Sequence, residues 1–284
     1  MKPTKLAAPF AKEFKPLTCP PYQPAKVGDW TLFRAPDHHG DVAAYFTLNA
    51  PMPQEYWVLT KNAQVSMSLT PSELQSQGYH ARLASGNVMV MGLGMGALVF
   101  NLLRNPRVNH ITVCEYEADV VSLLKCGASW FDEAIKSGKV DVSIADAFHY
   151  VPQGPHPDTL LVDIWRGVGS PQSEADVMRI QSNICAGTVA WWGQELALVS
   201  WIYSNYDQSH RFPFRRDHAA AYEKHLGFSL LGANHQNYPS MVRAAATNVS
   251  IIMKSQELDQ RRGSVIDRAI GSGSTDMASL EHQR

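Results

Sequence analysis

The sequence is short of the features that would place it in a specialised class at sight. Its 284 residues hold four cysteines, Cys19, Cys114, Cys126 and Cys185. They show no CxxC and no Cys-to-His ligand spacing, which argues against zinc ribbons and disulfide scaffolds. Three of them fall in segments that read as buried elements, so reduced core cysteines are expected. No apolar run approaches the ~20 residues of a bilayer span, and the lysine-bearing N-terminal stretch has no continuous apolar segment. A cytoplasmic protein with no membrane partner is the expectation. A surplus of charge is missing too: 25 Lys and Arg face 26 Asp and Glu, a net charge of -1. Nothing therefore draws the chain to nucleic acid. What remains is a small-molecule ligand, and enough chain for one large α/β domain with an appendage.

The chain sorts into four stretches. Residues 1–28 are rich in proline and lysine and read as an extended arm. Residues 29–84 form a small β unit with a linking helix: short runs at 30–33, 42–48, 56–60 and 65–69, with Lys61-Asn62-Ala63 as a hairpin connection. His38 and His39 sit in the turn between the first two runs with no third ligand nearby, and read as solvated. Thr70-Pro71-Ser72-Glu73 predicts a helix start with a capping box, the helix running to about Arg82. Residues 85–256 alternate strands and helices, and 257–284 read as a flexible tail.

In that third stretch Val88-Met-Val-Met91 is apolar without alternation, the mark of a strand buried on both faces. It runs into Gly92-Leu-Gly94-Met-Gly96, and Ala97–Arg104 follows as a helix stopped before Pro106. Strands are predicted at 111–114, 140–145, 159–162 and 188–192, with helices at 119–125, 173–186, 195–206 and 216–226. Repeated β–α units imply a parallel sheet covered on both faces. Runs at 228–231 and 248–254 predict a closing antiparallel pair.

Ligands of an open parallel sheet bind at the carboxyl ends of its strands, so the residues just after each strand are the informative ones. They are the Gly92, Gly94 and Gly96 turn after the first strand, Glu115 after the second, and Asp146 and Ala147 after the third. Asp163, Trp165 and Arg166 follow the fourth, and Trp192, Gln194 and Glu195 the fifth. A carboxylate such as Glu115 accepts both hydroxyls of a ribose, and Asp146 with the Ala147 amide can meet an adenine edge. Trp191 and Trp192 alternate faces, so one of them belongs to the core.

Taken together, Val88–Gly96, Val113–Val121, Ala145–Phe148 and Leu160–Asp163 resemble the successive motifs of class I S-adenosylmethionine-dependent transferases, most like the spermidine-synthase branch. The resemblance covers roughly residues 30–165. It implies a Rossmann-like sheet with a closing antiparallel strand and a small N-terminal β unit, S-adenosyl-L-methionine as cofactor, and a homodimer. By that resemblance the glycine turn meets the methionine part of the cofactor, Glu115 the ribose and Asp146 the adenine. The branch's aminopropyl chemistry needs an acid inside the glycine turn and another shortly after the fourth-strand acid, where this chain has Met95 and Arg166. Methyl transfer to a small-molecule acceptor is therefore the expectation, with Asp163 orienting or deprotonating the acceptor and Trp165, Trp192, Gln194 and Glu195 walling the pocket. Three alternatives stay open: an aminopropyltransferase-like (polyamine) enzyme, a nicotinamide-dinucleotide protein, since Gly92–Ala97 also satisfies GxGxxA, and a non-catalytic binder of S-adenosylmethionine. His149, His210, His218 and His235 cannot be ranked from sequence.

Overall fold

The structure, a computed structural model, describes residues 15–36, 44–47, 50, 53–206 and 216–248. Two sheets carry it. The first is antiparallel, in the order β1 (Ala25–Val27), β2 (Trp30–Pro36), β3 (Glu55–Lys61), β4 (Gln64–Ser68). β3 and β4 are joined by the expected two-residue turn, in which Asn62 and Ala63 both have positive φ, 51° and 63°. Such mirror-image turns match the twist of the flanking strands, and Asn62 is secured by its amide bonds to Asp29. β1 lay inside the predicted arm. Of the predicted strand at 42–48, residues 44–47 are described and are not strand. The turn holding His38 and His39 lies outside the described residues.

The second sheet is parallel. Its strands β5 (Gly86–Met91), β6 (Val108–Glu115), β7 (Val140–Ile144), β8 (Thr159–Val162) and β9 (Thr188–Trp191) stand in the order β7-β6-β5-β8-β9. The chain starts in the centre, builds outward to β7, crosses back and builds outward again to β9. The switch point thus falls between β5 and β8, where an open α/β sheet has its crevice. Alternation of side chains divides the core into two layers. Val88, Val90, Ile111, Val113, Leu161 and Ala190 join helices α2 (Ala97–Leu103), α3 (Ala118–Gly127) and α4 (Ser129–Lys136), together with the β unit. Met89, Met91, Leu160, Val162, Val189 and Trp191 join α5 (Ser173–Ile184), α6 (Gln194–Asn205) and α7 (Arg216–Leu226) on the other side. Both faces are covered, which is why the strands read as unbroken apolar runs.

Several expectations need correction. The antiparallel closure does not form among the described residues: Leu230 makes an isolated parallel bridge to Val189, and residues 238–248 are helical. The remainder of the predicted strand at 248–254 lies outside the described residues, as does the tail. Helix α1 (Pro71–Leu83) starts where expected, but Thr70 makes no side-chain cap bond; Glu73 turns toward Gln77 instead. Of the cysteines all are free, but Cys114 alone is buried, since Cys126 and Cys185 sit at helix ends facing water. No helix of the described residues is long and apolar enough to cross a membrane.

Candidate active site at the strand switch point

Parallel register brings the predicted strand-end residues to one level. Met91 stands beside Cys114 on one side and Val162 on the other, and Val162 beside Trp191. The next residues, Gly92, Glu115, Asp163 and Trp192, therefore line one edge of the sheet. Gly92 N–H donates to the Cys114 carbonyl, and Asp163 N–H to Met91. At Gly92 φ is +91°, and a β-carbon would lie 2.0 Å from the Asp163 carbonyl oxygen. Only glycine lets the turn pass that close to the neighbouring strand end. Gly94 and Gly96 also have positive φ, 50° and 72°, so the whole loop holds a course that side chains would oppose.

The turn is anchored from three directions. Glu115, 8% exposed, accepts the Leu93 amide at 2.7 Å through one carboxylate oxygen and the Glu117 amide at 2.8 Å through the other. Tyr22, from the segment before β1, donates its hydroxyl to the Met95 carbonyl at 2.6 Å. Met67 of β4 accepts the Met95 amide at its sulfur. The small β unit thus braces the glycine turn. Met95 itself is fully buried, so the position where the resemblance would need an acid faces the core.

Asp146, past the end of β7, accepts the Phe148 amide at 2.9 Å and pairs with His149 at 2.9 Å. The Phe148 bond, with help from His149 and Arg179, holds its carboxyl below the usual range against the opposing effect of desolvation. Ala147 beside it is buried. Each oxygen of Glu115 and of Asp146 keeps acceptor capacity beyond its present donor, so both remain able to receive hydroxyl or amino groups of a nucleoside.

The other half of the crevice is built on α1. Residues 75–80 of this helix are buried without a break, although Gln75, Ser76, Gln77 and His80 are polar. Each finds a partner from a distant element. Gln75 bonds Phe46 and Thr47, and the Ser76 hydroxyl accepts the Trp192 indole N–H at 2.9 Å. Gln77 donates to Asp163 at 2.6 Å and, more loosely, to Glu73 at 3.4 Å. Its own Oε1 is buried and unpartnered.

Desolvation pushes Asp163 up to about 6, opposed by the Gln77 bond and aided by the Glu115 charge. It raises Glu73 well above the carboxylate range as well, with the Asp163 charge adding to the effect and Gln77 again opposing. A small cavity beneath is lined by Gln77, His80, Asp163, Trp191 and Trp192, with Leu161 among its apolar walls.

The predicted wall residues divide. Trp192 lines the cavity, and Trp191 is the core member of the pair, 1% exposed. Trp165 turns away to α5, donating its indole N–H to Asp176 at 2.8 Å. Gln194 and Glu195 are fully buried behind the cavity wall rather than part of it: Gln194 donates to the Tyr238 hydroxyl, and Glu195 meets Tyr45 and His80. Arg166 is exposed. Sequence reasoning missed Glu73, Gln77 and His80. The available signal was the polar run Gln75-Ser76-Gln77 in a helix directly before the first core strand.

No protein-family model and no curated protein matches the chain. Solved structures do resemble it, at low similarity. A spermidine synthase from Thermotoga maritima aligns over 55% of this chain and 64% of its own at 12% identity, with a TM-score of 0.36. Phosphoethanolamine N-methyltransferase 1 from Haemonchus contortus aligns over 36% of this chain and 20% of its own at 15% identity, TM-score 0.27. The amino pentose methyltransferase CalS10 of Micromonospora echinaspora, bound to S-adenosylmethionine, aligns over 39% of this chain and 44% of its own at 15% identity, TM-score 0.28. The structures this chain resembles are thus methyltransferases and a spermidine synthase, each matched over less than two thirds of its own length.

Proposed function

We propose that this chain is an S-adenosylmethionine-dependent transferase that methylates a small acceptor carrying an amine. The observation that carries the reading is the level row of Gly92, Glu115 and Asp163 at the switch point, with Asp146 one strand further out. A glycine turn and two successive acids suit the methionine, ribose and adenine parts of that cofactor. A dinucleotide reading would use the turn and Glu115 and leave Asp146 without a task. The cofactor, when bound, supplies a carbon already activated on a sulfonium, so the protein's part is to align and deprotonate a nucleophile. Gly92 and Gly94 would admit it against backbone, Glu115 would take the ribose hydroxyls, and Asp146 with Ala147 the base.

Glu73 and Asp163 would hold the acceptor. Two carboxyls bridged by Gln77 favour a cationic group beside them and orient it toward the cofactor's carbon. The same pair supports a second reading, aminopropyl transfer. Glu73 supplies an acid from α1 that the glycine turn lacks, set back from the cavity wall and linked to Asp163 through Gln77, and the exposed Arg166 does not line the cavity.

Incubation with S-adenosylmethionine and a small-amine fraction of cell extract, followed by mass spectrometry, separates the readings. S-adenosylhomocysteine is the expected product, and methylthioadenosine would favour aminopropyl chemistry. Calorimetry showing NADH bound and S-adenosylmethionine ignored would overturn both.

A further inference from the structure

Behind the cavity lies a buried chain of polar groups that the predicted cofactor contacts do not use. Glu195, at the start of α6, is fully buried. One of its oxygens accepts the Tyr45 hydroxyl at 2.9 Å, and the other lies 3.3 Å from His80 Nε2. His80, in the last turn of α1, is 3% exposed; its Nε2 and the Glu195 oxygen it faces are both buried and have no hydrogen-bond partner, so the approach between them is that of an ion pair. Burying a carboxylate this deeply is costly unless polar or positive groups face it; here the Tyr45 O–H is the hydrogen-bond donor, and His80 Nε2 stands beside the other oxygen at ion-pair distance. Tyr45 is itself pinned: Asn248 donates to its carbonyl, and its ring packs edge-on against Phe46 at 4.7 Å.

A carboxylate oxygen 3.3 Å from Nε2 favours the proton on that nitrogen, because an Nε2 lone pair there would face a like partial charge. A neutral imidazole that donates from Nε2 presents Nδ1 as a lone pair. His80 also lines the cavity that holds Asp163 and Gln77. We propose that His80 is the proton acceptor of the acceptor pocket, held by Glu195 and Tyr45 with Nε2 protonated and Nδ1 open to the cavity. When an ammonium or hydroxyl of the acceptor loses its proton there, the X–H bond breaks and its electron pair stays on X, which becomes the nucleophile. The new N–H bond forms on Nδ1, and the resulting imidazolium faces the Glu195 carboxylate. Glu195 and Tyr45 are positioning residues in this arrangement, and Asp163 orients the group being deprotonated. This rests on the transferase reading above.

The groups facing His80 are Glu195 from α6, Tyr45 from the 44–47 segment, Asp163 across the cavity and the ring of Tyr79 beside it at 5.8 Å. Long-range proton–nitrogen NMR on the 15N-labelled full chain, with His80→Gln to assign the signals, reads the tautomer directly. The expected result is an Nε2-protonated ring whose titration midpoint falls by about one pH unit or more in Glu195→Gln, since the ion pair is removed. Tyr45→Phe keeps the carboxylate and removes its neutral donor, so the midpoint should rise, a test that survives if Glu195→Gln fails to fold.

An Nδ1-protonated ring, or midpoints unmoved in the folded variants, would overturn the proposal. Calorimetry with S-adenosylhomocysteine runs alongside: His80→Gln should bind it within about twofold of the parent chain. If the parent chain binds neither S-adenosylhomocysteine nor S-adenosylmethionine, the transferase reading fails, and the role given to His80 fails with it whatever its tautomer.

Discussion

The two halves of the crevice hold their carboxylates in different ways. On the β5–β7 side, Glu115 and Asp146 are held by backbone amides of Leu93, Glu117 and Phe148. Peptide N–H groups cannot ionise or rotate away, so these acids are held in place by the backbone itself. On the α1, β8 and β9 side, Glu73, Asp163 and Glu195 are held by side chains: Gln77, His80 and Tyr45. There desolvation outweighs the bonds, and Asp163 and Glu73 are pushed upward. On the function proposed above, the β5–β7 side would bind the neutral, hydroxyl-rich part of the cofactor. The other would hold the acceptor and handle its proton.

Gly92→Ala tests whether the two halves need their common hinge. The added carbon would strike the Asp163 carbonyl in a backbone conformation that alanine resists, and a loss of more than about 3 kcal/mol in denaturant titration is expected. Glu115→Ala leaves two amides of the cofactor half without their acceptor. Stability should fall by about 2 kcal/mol, and S-adenosylmethionine affinity, followed by calorimetry, should weaken with it; unchanged affinity would remove Glu115 from the site.

The acceptor half should answer to pH instead. An acid whose folded pKa lies above its unfolded value keeps its extra proton in the folded state, so stability is greatest below about 4. It falls as pH rises toward the folded value of about 6 and stays lower above it. Asp163→Asn should remove that dependence, an effect on the order of 1–2 kcal/mol between pH 4 and 7 in paired denaturation curves. If both chains gave the same profile, the contrast between the halves would collapse. Tyr22→Phe is the mildest change. It removes one hydroxyl from the Met95 carbonyl and should cost about 1 kcal/mol, with the acceptor half unaffected.

The placement of the strand-end residues on the β5–β7 side was legible in the sequence because its determinants are local or periodic. Val88–Met91 reads as a strand from its own composition, Gly92–Gly96 as a turn from its glycines, and Glu115 and Asp146 are found by counting to the next strand ends. The same signals place the short hairpin turn at Asn62 and Ala63. The acceptor half was not legible. Gln77 meets Asp163 86 positions away, Ser76 meets Trp192 116 away, and Tyr45 meets Glu195 150 away. In a sequence, a polar run such as Gln75-Ser76-Gln77 reads as a solvated helix face, and Gln194 and Glu195 read as pocket walls because they follow a strand.

What the sequence determined by itself was the strand–turn–helix rhythm, the glycine turn and the acids at the strand ends, since each depends on near neighbours and on burial patterns of period two or 3.6. What tertiary structure decided was which polar side chains would be taken out of water together. α1 is enclosed between the sheet, the 44–47 segment and α6, so its polar residues can be satisfied only by partners that the folded chain brings to them. That enclosure, through desolvation, pushes the Glu73 and Asp163 carboxyls above the ordinary carboxylate range.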